Sequence, residues 1–196
     1  MNLPNTLTML RIVLTFAFIF FLFMGGLFYK LLAFATFLLA SLTDLLDGFL
    51  AKRNNQITDF GKLMDPIADK ILVLSAFIAF VELKIVPAWM VIIIVFREVV
   101  ITALRGLAYT KGRVIAADGA GKHKTVSQVV AIFMILLYVI FREGGEAVFK
   151  FWTSRTEKCF ADVIYYLMIV TVILTVVSGV SYLVKNRSLY SSEKKN

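Results

Sequence analysis

Four aspartates are spaced so that they could hold a metal ion together. Asp44 and Asp47 lie three residues apart, and Asp65 and Asp69 lie four residues apart. At about 100° per helical residue, each pair falls on one face of its helix. Carboxylates without His or Cys are the ligands of hard cations such as Mg²⁺ or Mn²⁺. We therefore interpret the four as a cation site. The alternative is plain helix-end solvation, with neighbouring lysines as partners.

Small residues share the helix faces of these aspartates. Gly48 and Ala51 each follow an aspartate by about one turn, and Gly61 precedes Asp65 by about one turn. Missing side chains there would let a flat ligand approach the backbone closely. Tight packing of membrane helices would need the same residues, so the small residues alone do not distinguish a ligand site from helix packing.

Apolar helices must position these residues. Of the 196 residues, 60% are hydrophobic, and the apolar runs suffice for six spans of about 20 residues each. The spans lie at roughly 6–27, 30–52, 60–82, 87–109, 122–142 and 160–184. This pattern predicts an all-α integral membrane protein with six transmembrane helices. We expect one domain over residues 1–189 and a flexible tail over 190–196.

The basic residues favour a membrane over nucleic acid as the partner. The formal net charge is +8, but the lysines and arginines lie between apolar runs, where anionic lipid or substrate would meet them. With six spans, both termini share one face, and that face carries about twice as many basic residues as the other. Both termini are therefore expected in the cytoplasm. Trp89 and Trp152, near span ends, suit interfacial anchors.

The motif around the aspartates resembles the signature of the CDP-alcohol phosphotransferases. That pattern is D-x2-D-G-x2-A-R, eight residues, then G-x3-D-x3-D. The chain has Asp44-Leu-Leu-Asp47-Gly48-Phe-Leu-Ala51-Lys52, eight residues, then Gly61, Asp65 and Asp69. Only Lys52 departs, where the family has arginine. Residues 2–11, 96–105 and 121–125 resemble bacterial members of the family that use sn-glycerol 3-phosphate.

The resemblance implies a fold, a reaction and a set of site residues. It implies a homodimer in the bacterial cytoplasmic membrane, with the active site facing the cytoplasm. CDP-diacylglycerol would donate a phosphatidyl group to sn-glycerol 3-phosphate and release CMP, with two Mg²⁺ or Mn²⁺ ions. The metal ligands would be Asp44, Asp47, Asp65 and Asp69, and Asp69 would also be the general base. The nucleotide would lie against Gly48, Ala51, Lys52, Gly61, Asn5 and Thr8.

A cluster of basic residues is our candidate for binding the acceptor phosphate. Its members are Arg105, Lys122, Lys124 and Arg97. From charge alone, positive-inside bias and lipid contact explain most of them equally well. Arg97 lies inside a span, where an arginine usually has a function, although neighbouring Glu98 could simply be its partner.

Two other functions stay open at this point. The first is an enzyme of the same family with serine, inositol, inositol phosphate or phosphatidylglycerol as acceptor. The second is a cation transporter or channel subunit, which predicts polar residues throughout the membrane. The far halves of the second, third and fifth segments contain no charge apart from their end residues Lys30, Glu82 and Arg142, which argues against a continuous pathway.

Overall fold

The computed structural model describes residues 3–54, 59–110 and 119–186, with side chains described over part of these ranges. Six helices account for nearly all of them. They are α1 (Leu3–Phe23), α2 (Leu27–Asn54), α3 (Asp59–Glu82), α4 (Ala88–Thr110), α5 (Gly119–Val148) and α6 (Ser154–Lys185). The predicted all-α fold with six helices is confirmed. The expected tail at 190–196 lies outside the described residues.

The helices pack as one bundle. α1 lies against α2 and α3, α5 joins α2, α3 and α6, and α4 contacts α3 and α6. Alanines are fully buried where helices meet, as at Ala33, Ala40, Ala76 and Ala131. Such small side chains let helix backbones approach closely in a membrane. Phe37 and Phe133 then join α2 to α5 edge to face, with ring centroids 5.4 Å apart.

The outer surface of the bundle is apolar. Phe16, Phe96 and Ile92 are 70%, 69% and 65% exposed. So many exposed large apolar side chains are unusual for a protein in water and suit lipid. Among the described side chains, two helical stretches, His123–Val148 and Ser154–Lys185, are long and apolar enough to cross a membrane. Shorter apolar stretches cover Met9–Phe23 and Leu27–Thr43.

The turn between α1 and α2 is fixed by two side chains. Gly26 has a φ of 103°, which favours glycine, and its N–H donates to the Glu143 carboxylate at the end of α5. Lys30 is buried, and its Nζ donates to the carbonyls of Leu22 (2.7 Å) and Met24 (2.6 Å). A lysine there satisfies carbonyls that the end of α1 leaves without helical partners.

The connection between α5 and α6 is more helical than expected. The predicted spans end at 142 and resume at 160, whereas α5 continues to Val148 and α6 begins at Ser154. Gly145 breaks the regular helix (φ 57°, ψ −166°), and Thr153 caps α6 by accepting from the Thr156 N–H. Hydropathy measures the length that lipid covers, and a helix can run on into water.

Trp152 is not the interfacial anchor that the sequence suggested. It is only 4% exposed, and its ring packs against those of Tyr138, Phe141 and Phe160 at centroid distances of 5.2–5.9 Å. The chain itself covers this indole, so lipid does not. Trp89 is 50% exposed at the start of α4, which agrees with an interfacial position.

Candidate active site

The four aspartates lie where α2 and α3 adjoin. Asp44 and Asp47 belong to the last turns of α2, and Asp65 and Asp69 belong to the first turns of α3. Only residues 55–58 separate the two helices in the chain, so one pair of aspartates precedes this connection and the other pair follows it. Four carboxylates on two consecutive helices are a donor set that fits a hard cation such as Mg²⁺ or Mn²⁺.

The four aspartates form what we call the acidic half of the site. Their side chains are outside the described part of the structure, so their roles stay predictions. The same holds for Gly48, Ala51 and Lys52 on α2 and for Gly61 on α3. It also holds for Asn5 and Thr8 on α1 and Lys122 on α5. Among the side chains that are described, no group of three His, Cys, Asp or Glu residues could hold a metal ion.

A buried carboxylate, Glu98, organises the basic half of the site. It lies halfway along α4 and is 7% exposed. Lys124, on α5 and 6% exposed, donates to Glu98 Oε1, and Arg97 Nη1 donates to the same oxygen at 3.1 Å. Charges removed from water need such pairing, because an isolated buried charge is very costly. The structure thus brings Arg97 and Lys124 together, and it confirms that Glu98 is a partner of Arg97.

Thr102 links this cluster to the helix that carries Asp65 and Asp69. Its hydroxyl donates to the Glu98 carbonyl at 2.6 Å and accepts from Lys70 Nζ. Lys70 follows Asp69 directly in α3. The acidic and basic halves are therefore tied together by one hydrogen bond between α3 and α4, from Lys70 to Thr102.

α6 contributes to the site, although no sequence motif indicated it. Arg97 Nη2 donates to Ser178 Oγ at 2.8 Å, and a Cβ on Gly179 would come within 3.1 Å of Arg97 Cγ. Arg105 is exposed, and its guanidinium lies 5.5 Å from the ring centroid of Tyr182, close enough for a cation–π contact. α6 therefore positions both arginines that α4 contributes.

A periodic signal in α6 could have revealed this face. Its buried residues change from apolar at Ile164 and Met168 to polar further along the helix. The polar ones are Thr171, Thr175, Ser178 and Tyr182, at intervals of three or four residues. Polar residues at helical spacing within an apolar span indicate a face turned toward the protein interior.

Some buried polar atoms on α4, α5 and α6 form no hydrogen bond with any described residue. They are Arg97 Nε, Gln128 Nε2 and the Tyr182 hydroxyl. Gln128 lies one turn beyond Lys124 on α5 and is almost fully buried. Since the great majority of buried polar groups in proteins are paired, atoms left over near a cluster of charges mark a place where a polar ligand fits.

Chemically, the helices that carry the candidate ligands of a hard cation, α2 and α3, lie next to the helices that carry the basic groups, α4 and α5. Carboxylates at the ends of α2 and α3 could hold a metal ion, and Arg97, Lys124 and Arg105 supply donors for an anion. Such sites suit the transfer of groups attached to phosphorus, where positioning and charge stabilisation account for most of the catalysis.

Comparison with known proteins agrees with this chemistry. The family described as CDP-alcohol phosphatidyltransferase matches residues 1–177. The chain is 41% identical over 150 residues to the CDP-diacylglycerol–glycerol-3-phosphate 3-phosphatidyltransferase of Bacillus subtilis, covering 76% of this chain and 70% of the relative. It is 38% identical over 187 residues to a probable phosphatidylglycerophosphate synthase of Mycobacterium tuberculosis, covering 94% and 81% of the two chains.

A third relative extends the similarity to another bacterium. The CDP-diacylglycerol–glycerol-3-phosphate 3-phosphatidyltransferase of Wigglesworthia glossinidia brevipalpis is 37% identical over 144 residues, which is 69% of this chain and 77% of the relative. The family match takes in all four aspartates and the buried cluster around Glu98. The chain belongs to the CDP-alcohol phosphatidyltransferase family.

Proposed function

We propose that this protein transfers the phosphatidyl group of CDP-diacylglycerol to sn-glycerol 3-phosphate, which gives phosphatidylglycerophosphate and CMP. The relatives in B. subtilis and W. glossinidia brevipalpis carry the name of that reaction. The observation that supports it most directly is the pairing of Arg97 and Lys124 on one buried carboxylate, joined through Thr102 to the helix of Asp65 and Asp69. An acceptor that carries its own phosphate needs such cations beside the reaction centre.

The chain's own residues would activate the acceptor. Asp69 takes the proton of the attacking glycerol hydroxyl, as a carboxylate within hydrogen-bond reach can do. The hydroxyl oxygen bonds to the phosphorus that carries diacylglycerol, and the bond from that phosphorus to the CMP oxygen breaks. Gly48, Ala51 and Gly61 on α2 and α3 would leave room for the nucleotide, and Lys52, Asn5 and Thr8 would bind beside it.

Metal dependence is general in this family. We propose that two Mg²⁺ or Mn²⁺ ions are held by Asp44, Asp47, Asp65 and Asp69. Bound there, a divalent ion would neutralise the pyrophosphate and stabilise the charge that develops on departing CMP.

The acceptor phosphate would be bound by Arg105, Lys122, Lys124 and Arg97. Glu98 holds two of these four, Lys124 and Arg97, in fixed orientations. Preorganised donors of this kind need little rearrangement when the anion arrives.

We also propose where the protein acts. Its apolar surface places it in a membrane, and the distribution of basic residues favours the bacterial cytoplasmic membrane with both termini and the active site on the cytoplasmic side. Its partners there would be CDP-diacylglycerol, glycerol 3-phosphate, membrane lipids and a second copy of the chain.

An acceptor panel tests the proposal. Purified protein in detergent receives CDP-diacylglycerol and Mg²⁺ together with glycerol 3-phosphate, serine, inositol or inositol phosphate, and CMP release is followed. Release with glycerol 3-phosphate alone, abolished by a chelator, is the expected result. CMP release with another acceptor would contradict the proposed acceptor but not the proposed reaction type. No CMP release from folded protein would contradict both.

A further inference from the structure

A polar contact joins α3 to α4 far from the loop that connects the two helices. Lys70 on α3 donates from Nζ to the hydroxyl oxygen of Thr102 on α4. At 1.5 Å per helical residue, this contact lies roughly 20 Å from the connection at residues 83–87. Between the contact and the connection, an apolar groove opens between the helices, with Ile78 and Val91 among its lining residues. The contact therefore holds together helix segments that the groove partly separates.

The Thr102 hydroxyl is oriented to accept a hydrogen bond from a cation. Its single proton is donated to the Glu98 carbonyl, one turn earlier in α4, at 2.6 Å. The oxygen has only lone pairs left to offer to α3, and the Lys70 ammonium has only donors. Valine has the same shape as threonine, so filling space in α4 does not require the hydroxyl. Because hydrogen bonds depend on distance and angle, this contact defines the position of α3 more narrowly than apolar packing does.

Lys70 is the residue next to Asp69, the proposed base. Positions 69 and 70 lie about 100° apart around α3, so the contact at Lys70 does not occupy the face of position 69. Since the two residues are consecutive in one helix, fixing Lys70 also fixes the backbone at position 69. The partner helix α4 carries Arg97 and Arg105. The contact therefore sets the spacing between the proposed base and two of the proposed acceptor-binding residues.

We propose that Thr102 is a positioning residue that holds the first half of α3 at the distance from α4 that the transfer step requires. It acts through Lys70 on the placement of Asp69 and touches neither substrate. The inference rests on the proposed function, because it takes Asp69 as the base. A misplacement of about 1 Å can cost on the order of 100-fold in rate, so loss of the contact should appear in kcat.

The test is the Thr102→Val variant, which removes the hydroxyl and keeps the shape of the side chain. We expect kcat to fall by about 10- to 100-fold, with the KM values for CDP-diacylglycerol and glycerol 3-phosphate unchanged. Thr102→Ser keeps the hydroxyl and should restore most of the rate. Thr36→Val is the matched control, because Thr36 is also half-buried and donates to carbonyls of its own helix, α2. The control should leave kcat unchanged.

A second variant, Lys70→Met, shows whether Thr102 acts through Lys70. Methionine keeps most of the stem and removes the donor, so this variant should lower kcat as much as Thr102→Val does. It carries the same test if Thr102→Val does not fold. Because both changes remove one contact, the double variant should lose no more activity than either single variant.

Four results would overturn the inference. An unchanged kcat in Thr102→Val would show that the contact does not affect the transfer step. Equal losses in Thr102→Ser and Thr102→Val would show that the hydroxyl is not what matters. Losses that multiply in the double variant would mean that Thr102 and Lys70 act separately. A higher KM without a lower kcat would place Thr102 in substrate binding instead.

Failure of the proposed function is distinguishable from failure of this inference. If the unsubstituted protein releases no CMP with glycerol 3-phosphate, the proposed function is wrong. The hold of Thr102 on α3 is then measured by hydrogen–deuterium exchange of the folded protein in detergent. Faster exchange over residues 65–75 in Thr102→Val than in Thr36→Val supports it, and equal exchange in both contradicts it.

Discussion

Glu98 is a buried carboxylate that serves as counterion to two basic side chains. Its carboxylate accepts from Lys124 on α5 and from Arg97 on its own helix, and its backbone carbonyl accepts from Thr102. A buried ion pair adds little net stability relative to apolar residues, but removing one partner is strongly destabilising. A change at Glu98 therefore removes a counterion that two cations share.

We therefore expect Glu98→Gln to lower the free energy of unfolding by about 3–5 kcal/mol. Glu157→Gln is the matched control, because Glu157 pairs with Arg142 at 3.6 Å near the end of the bundle with 38% of its side chain exposed. Exposed pairs contribute about 0–1 kcal/mol, so this control should change stability little. Unfolding in detergent, followed by circular dichroism, compares the two variants. Equal small losses in both would show that Glu98 is not the central counterion.

Asp69 is the residue whose loss should stop the reaction without preventing binding. Asp69→Asn removes the proposed base and keeps the other three carboxylates, so turnover should fall by about 10²- to 10⁴-fold. Binding of CDP-diacylglycerol in the presence of Mg²⁺, measured by its effect on melting temperature, should persist. Asp162→Asn, an exposed position on α6, serves as the control and should retain full activity. A near-normal rate for Asp69→Asn would assign the base to another residue.

For individual residues, the sequence predicts which nearby side chains share a helix face, but it does not predict which residues far apart in the chain make contact. The four aspartates stand out because each pair recurs at helical intervals. Glu98 could be suspected as a partner of Arg97 because the two are adjacent. Nothing local shows that Lys124 meets Glu98 across 26 positions, or that Ser178 meets Arg97 across 81. Those contacts depend on which helices become neighbours.

Among the described glycines, Gly144 in the connection between α5 and α6 has the least space for an added Cβ. Phe149 folds back over Gly144, where an added Cβ would lie 2.5 Å from the phenyl ring. The same ring packs against Phe141 with centroids 5.0 Å apart, and Phe141 in turn meets Trp152. Gly144 thus permits the aromatic cluster that joins the two helices, because any side chain there would displace Phe149.

Gly144→Ala should therefore destabilise the protein even though alanine favours helices. Overpacking costs typically about 1–3 kcal/mol, which exceeds the gain of up to about 1 kcal/mol from helix propensity. Gly106→Ala is the matched control, since Gly106 is also helical and has nothing within 4 Å of an added Cβ. We expect Gly106→Ala to be neutral or slightly stabilising in thermal unfolding. The opposite order of the two variants would contradict the packing described for Phe149.

The number and type of the helices followed from the sequence, but several of their ends did not. Six apolar runs of sufficient length correspond to the six helices. The apolar spans leave residues 143–159 unassigned, and α5 and α6 extend into that stretch because charged residues such as Glu143 and Glu157 end the apolar run without ending the helix. The role of Trp152 was misjudged for a related reason, since composition does not show which aromatic rings gather around one another.

For the molecule as a whole, the proposed orientation puts the start of α6 on the side of the membrane opposite both termini. The chain's single cysteine, Cys159, is exposed there. We expect a membrane-impermeant maleimide to label Cys159 in right-side-out vesicles without permeabilisation.

The complementary reporter sits at the other end of the same helix. Cys159→Ser combined with Lys185→Cys should label only after the vesicles are permeabilised, because α6 ends at Lys185 on the cytoplasmic side. The reverse pattern of labelling would invert the topology and place the active site outside the cytoplasm.

The hydroxyl groups of the helices affect how this chain can be built into a membrane. Many of them donate to a carbonyl three or four residues earlier in their own helix, as do Thr15, Thr36, Thr43, Ser75, Thr102, Ser127, Thr171 and Thr175. Such a side chain needs no second helix in order to enter lipid, where unsatisfied polar groups are costly. Arg97 likewise has its counterion, Glu98, next to it on the same helix, α4. Lys124 comes later in the chain, so the carboxylate it pairs with is made before it. Ribosomal synthesis can therefore deliver α4 with Arg97 and Glu98 already paired, and Lys124 joins them when α5 follows.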